Sequence, residues 1–260
     1  KMFSAEKELY GDIVEDTRLI MASYFDYYSN DKTKPIRYRR RFAEHELEIP
    51  IDDDLLLVLK IDALVRTPNK LRWIAEHKTF SRQPNEDDRW RNLQSAVYIK
   101  ACELAGMEPF AGMMWNYIKS RPPKVPATLK DGSLSIKDID TLPLLVRQII
   151  EERELEADLP AHQTLLERAE ANQRTYFFRT FMPVKKRVVR MIFNDFVDTA
   201  REMMEHHGKK KDRNIGMHCG WCDYEPICRA QLTGGDADFV KEREYEISTR
   251  EDNVEKESTE

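Results

Sequence analysis

The sequence predicts a mixed α/β (α+β) protein. Its core runs helix, three-stranded antiparallel meander, helix, strand, and is followed by a helical insertion and a C-terminal cysteine cluster. Three observations predict this. Between Glu46 and Thr79, apolar runs of strand length are divided by the turn residues Asp52-Asp53-Asp54 and Pro68-Asn69-Lys70. On either side, Ser4–Tyr28 and Arg89–Ala105 carry apolar residues with helical character. Near the C-terminus, Cys219, Cys222 and Cys228 fall within ten residues.

The 260 residues suffice for a real hydrophobic core in one large domain or two small ones. A net charge of −5 excludes a protein coated in positive charge, but leaves room for a local basic groove. No apolar run approaches the roughly 18 residues of a membrane span. The chain opens on Lys1, so a preceding segment is expected, and no signal peptide is visible. Clustered cysteines differ from the even spread of a secreted disulfide framework. They point to a metal or cluster in a reducing cytoplasm.

The elements follow in order. The first helix holds Leu9, Ile13, Leu19, Ile20, Tyr24 and Phe25, and Ser29-Asn30-Asp31 with Pro35 ends it. Glu46–Ile49 alternates acidic and apolar residues, as a half-buried strand does. Leu55–Thr67 reads as a long buried strand and Leu71–Thr79 as a third, joined by short loops. Arg89–Ala105 is a helix that Gly106 is placed to cap. Phe110–Ile118 is a fourth strand. Arg121–Ser133 is a proline-rich loop. Thr141–Glu156 and Ala161–Gln173 are helices of an insertion, Tyr176-Phe177-Phe178 a short strand, and Val184–His207 a long helix. The charged stretch from Asp236 is expected to be disordered or a loose helix.

Chemistry concentrates in the meander. Residues two apart on a strand share a face, so Glu76 and Lys78 point one way and His77 the other. Asp62, on the preceding strand of the hairpin, can reach the same spot. Two carboxylates beside an ammonium suit a hard cation such as magnesium, which keeps waters for a phosphate to replace. The lysine could then hold or deprotonate a water on that cation. An isolated E-x-K is more often a structural ion pair, but here an aspartate and apolar flanks accompany it. On the next helix, Gln94 and Tyr98 lie four apart on one face, where both can hydrogen-bond a phosphate or the lysine. Taken alone, that pair reads better as a surface glutamine beside a half-buried tyrosine.

Asp62, Glu76-His77-Lys78 and then Gln94-x-x-x-Tyr98, in that element order, resemble the RecB-like branch of the PD-(D/E)XK nuclease superfamily. The resemblance covers roughly 4–119 and resumes at the cysteines. It implies a restriction-endonuclease-like αβββαβ core over 1–120, with the loop and helical insertion at 121–183. Residues 184–235 would complete the same domain, and 236–260 would form a tail. It implies Asp62, Glu76 and the His77 backbone carbonyl as ligands of Mg2+ or Mn2+, Lys78 as the catalytic lysine, and Gln94 and Tyr98 as further site residues. Where the family often carries G-x-x-x-H, this chain has Gly11 to Glu15, so Glu15 stands in the histidine's place as a candidate ligand. An ordinary solvated helix glutamate is an equal reading, and Asp12 is a neighbouring candidate.

The spacing C-x2-C-x5-C is similar to that of RecB-like nucleases that bind a 4Fe-4S cluster. The resemblance places the fourth cysteine upstream of Lys1. A zinc site completed by His206, His207 or His218 is the alternative. Cys102, inside a helix, reads as a buried structural thiol. Arg37–Arg41, Lys119–Lys124 and Lys185–Arg190 are basic groups that could follow a DNA backbone, though each alone is more often a solvated face.

The function implied is a metal-dependent DNA exonuclease. It would resect linear ends in phage or bacterial recombination and hand single strands to an annealing recombinase. A CRISPR-type spacer-trimming nuclease is one alternative. A catalytically silent DNA-binding or assembly subunit with structural zinc is another.

Overall fold

The structure, a computed structural model, describes residues 12–246 apart from 87, 88, 90, 91, 138, 139, 208 and 210–212. It divides into two compact units, 1–202 and 203–260. In the first, helix α1 (Ile13–Tyr27) is N-capped by Asp12, whose carboxylate accepts the Glu15 N–H. Ile20, Ser23 and Tyr24 form its buried stripe. The start of the expected Ser4–Tyr28 helix, with Gly11, lies outside the described residues.

The meander forms as its alternation predicts. It comprises β2 (Ala43–Pro50), β3 (Leu56–Arg66) and β4 (Arg72–Phe80), preceded by the two-residue β1 (Lys34–Pro35). In β2, His45, Leu47 and Ile49 turn inward while Glu46 and Glu48 face out. Helix α2 (Leu93–Leu104) then crosses to β5 (Gly112–Lys119), which runs parallel to β4. The end of α2 is a Schellman cap. Gly106, at φ 72°, donates to Glu103, and Met107 donates to Cys102.

The sheet order is β1-β3-β4-β5-β6, where β6 (Phe177–Pro183) pairs antiparallel with β5. Beside it, a Cβ on Gly112 would stand 2.0 Å from the Met182 carbonyl oxygen, so only glycine allows this approach. β1 and β2 share one edge of β3, because β4 occupies the other. Leu47, Ile61, Leu64, Ile74, Met113 and Trp115 form the main core with Ala101 and Cys102 of α2. Tyr24 of α1 packs with Leu142, Tyr176 and Phe177 in a separate cluster.

The insertion has a core of its own. Helices α3 (Pro143–Glu152) and α4 (Pro160–Tyr176) bury Val146, Ile149, Leu165 and Ala169 against Leu134. Fully buried His162 staples this part. Its Nε2 accepts the Leu134 N–H, so its Nδ1 donates to the Glu156 carbonyl. Helix α5 (Lys186–Glu205) rests Val189, Phe193 and Val197 inward, and Phe193 and Val197 meet Val97 of α2.

The second unit contains a 3-10 turn (Met217–Trp221), α6 (Glu225–Thr233) and α7 (Ala237–Glu244). The start of the charged tail is therefore a helix, N-capped by Asp236. Among the described residues, no helix is long and apolar enough to cross a membrane.

Candidate active site

The site occupies a fork in the sheet. The β3–β4 ladder runs from Arg66↔Arg72 to Ala63↔Ala75 and stops, although both strands continue. Beyond that point β3 stays paired with β2, and β4 with β5. Parting strands strand their backbone groups, which must find other partners. The Asp62 carboxylate supplies one, accepting the His77 N–H at 2.7 Å. Tyr98 of α2 supplies another, donating to the Lys60 carbonyl at 2.8 Å. One residue's N–H and C=O point to the same edge of a strand, so the His77 carbonyl also opens toward the fork.

Continuing the register by one residue sets Asp62 across from Glu76 on the same face. Glu76 is 4% exposed. Its Oε1 accepts two hydrogen bonds, from Lys78 Nζ at 2.6 Å and from Gln94 Nε2 at 3.0 Å. Its Oε2 is buried and has no hydrogen-bond partner among the described residues. Gln94 Nε2 also donates to Tyr98 Oη at 2.7 Å. Glu76, Lys78, Gln94 and Tyr98 are thus one hydrogen-bonded constellation, with Asp62 across the fork from Glu76. Burial pushes the Tyr98 phenol above its usual pKa, opposed by the bond from Gln94, and the charges of Glu76 and Asp62 add to the rise. Tyr98 therefore keeps its proton and remains a donor to Lys60.

His77 faces the opposite side of the sheet, where Asn116 is fully buried. Arg179 Nε can only donate, so the Asn116 atom 3.0 Å from it is the amide oxygen. That oxygen also accepts from Tyr24 Oη at 3.2 Å. The Asn116 nitrogen, 2.8 Å from His77 Nδ1, must then donate, which leaves His77 Nδ1 without a proton. Arg179 is held in turn by Asp31 and lies 3.9 Å over the Tyr28 ring. Sequence reasoning missed this network because its members are far apart in the chain. The available signal was a lone asparagine inside the apolar run Met113–Ile118.

Among the described residues, no hydrogen bond joins Glu15 to Asp62 or Glu76. Glu15 is exposed and its carboxylate bonds Arg18 at 2.6 Å. Asp12 is occupied as the α1 cap. Among the described residues, no three His, Cys, Asp or Glu side chains gather into a group that could hold a metal ion. This includes Cys219, Cys222 and Cys228, which are free thiols, none of them buried. Cys102 is fully buried, and burial raises its pKa to about 12, so it stays a thiol. Arg39 and Arg40 form the tip of a tight turn closed by Tyr38↔Arg41, while Lys119 pairs with Asp140.

A family model described as the PD-(D/E)XK nuclease superfamily matches residues 3–229, most of the chain. No curated protein matches the chain at a significant level.

Proposed function

This chain belongs to the PD-(D/E)XK nuclease superfamily, and from that premise we propose that it is a metal-dependent DNA exonuclease using Asp62, Glu76 and Lys78. The observation that carries the reading is the bare Glu76 Oε2. A buried carboxylate oxygen without a partner is costly, and a cation beside it removes the cost. Asp62 spends Oδ2 on the His77 N–H, and among the described residues no hydrogen bond occupies its Oδ1. With the His77 carbonyl, these oxygens suit Mg2+ or Mn2+. Magnesium takes only one or two carboxylates and fills its shell with water and substrate oxygen. Bound there, the cation would supply Lewis acidity toward the scissile phosphate and an attacking water.

The chain's own groups have separate tasks. Gln94 and Lys78 occupy Oε1 of Glu76, so Oε2 is the oxygen presented. Tyr98 anchors Gln94 to the β3 backbone through Lys60. Lys78 keeps 39% of its side chain exposed, so its ammonium can orient water and meet charge on the phosphate. Resection of linear ends in recombination or repair, with an annealing protein as partner, rests on the resemblance to RecB-like nucleases. The thiols as placed do not fit a closed iron–sulfur or zinc site. That part of the reading rests on C-x2-C-x5-C spacing alone, and a visible absorption spectrum of the full chain tests it.

The decisive assay incubates end-labelled linear duplex and covalently closed circular DNA with Mg2+ or Mn2+. Wild type should degrade the linear DNA and spare the circle, and Lys78→Ala should cut neither. Equal cutting of the circle would make the protein an endonuclease. A folded wild type that cuts nothing would remove the catalytic reading.

A further inference from the structure

A cleft of about 430 Å³ adjoins the constellation on the Lys78 side. Its wall carries Lys78, Arg82 and Arg89, and among the described residues no carboxylate lines it. Its floor includes Phe80, Trp115 and Tyr117. Lys78 Nζ stands 5.9 Å from the Trp115 ring centroid, and the Arg89 guanidinium 6.0 Å from that of Tyr117. Trp115 is 2% exposed, and its buried indole N–H has no acceptor.

Cations on a folded protein usually have acid neighbours. Lys78 has Glu76, but among the described residues no acid pairs with Arg82 or Arg89. Three like charges around one concave space repel one another, and the repulsion is relieved when an anion enters. The size is that of a small-ligand site. Arginine matches phosphate with paired N–H donors.

We propose that this cleft is a phosphate-recognition subsite. It would seat the nucleotide next to the scissile bond, with its phosphate against Arg82 and Arg89. The proposal rests on the nuclease reading above and deepens it by assigning residues that grip the strand beside the reacting phosphate. The ligand chemistry is a nucleotide phosphate, either an internal phosphodiester or a terminal phosphomonoester.

The test measures duplex-oligonucleotide affinity against salt concentration, in chelator so that no strand is cut. Each lost phosphate contact lowers the slope of log affinity against log salt by about 0.9. Arg82→Gln and Arg89→Gln should each lose about that much, and the double variant about twice. The Lys substitutions at both positions keep the charge and should keep the slope. Oligonucleotides ending in 5′-phosphate, 3′-phosphate or hydroxyl separate the two sources. A deficit confined to one phosphorylated end assigns end recognition, and an equal deficit on all ends assigns an internal phosphodiester. If wild type binds and cuts but the Gln variants keep the full slope, the subsite is refuted and the nuclease reading stands. If folded wild type neither binds nor cuts, both fall.

Discussion

Tyr98 Oη donates to the Lys60 carbonyl at 2.8 Å, across the gap where β3 and β4 part. A helix side chain thus completes the hydrogen bonding of a strand that has lost its neighbour. The same oxygen accepts from Gln94, so the contact also fixes the amide that orients Glu76.

Tyr98→Phe removes both roles. The expected loss of stability is about 1 kcal/mol, the net value of one hydrogen bond. Nuclease activity should fall by about tenfold, as slight misplacement of a reacting group costs about 1.4 kcal/mol of barrier. Urea unfolding beside the linear-duplex assay checks the pair of effects. Unchanged activity with reduced stability would confine Tyr98 to the fold.

Glu76→Gln neutralises the buried carboxylate that has a bare oxygen. In chelator the variant should be as stable as wild type or more so, because an amide is cheaper to bury than a carboxylate. Magnesium should stabilise wild type by about 2.7 kcal/mol at a hundredfold excess over its Kd. Glu76→Gln should show no such gain. Thermal melts with and without the ion decide it, and an equal gain in both proteins would move the cation elsewhere.

Asn116 ties Arg179 and Tyr24 to His77. Asn116→Leu leaves the guanidinium and the phenol without their acceptor, at an expected cost of about 3 kcal/mol. Asn116→Asp keeps an oxygen for both but removes the donor to His77 Nδ1. It should retain most of the stability and lose activity, because His77 lies between Glu76 and Lys78 on the same strand. Ring-nitrogen NMR shifts of His77 should show Nδ1 unprotonated in wild type only. The same His77 signal in both proteins would detach Asn116 from the site.

His45 is 2% exposed, and burial lowers its imidazole pKa below the ordinary value, with Arg41 adding to the shift. The unfolded chain then binds the proton more readily than the folded one. Stability is full above the unfolded pKa of about 6.5 and declines as pH falls through it toward the folded value. The melting temperature should drop between pH 7 and pH 5, and drop less in His45→Phe. Parallel curves for the two proteins would assign the acid sensitivity to other groups.

Much of this protein was legible before folding. The meander could be read because each strand's pattern is local: alternation in β2, turn residues at 52–54 and 68–70, and a glycine at the end of α2. Asp62, Glu76 and Lys78 could be grouped because strand periodicity and one short hairpin fix which side chains share a face. The Gln94–Tyr98 pair follows from helical spacing.

Only the tertiary structure decided the rest. That β3 and β4 separate after Ala63↔Ala75, while β3 stays paired with β2 and β4 with β5, is encoded by no local pattern. That Glu76 keeps one oxygen bare depends on where α2 lands. The link from Arg179 through Asn116 to His77 spans residues 63 and 39 apart, and exists only because β5 lies between β4 and β6. Glu15 makes the same point in reverse. The resemblance made it a candidate ligand in the place of the family's histidine, but a matching position does not settle what a helix faces, and its carboxylate bonds Arg18. Sequence sets which residues can share a face, and packing sets which faces meet.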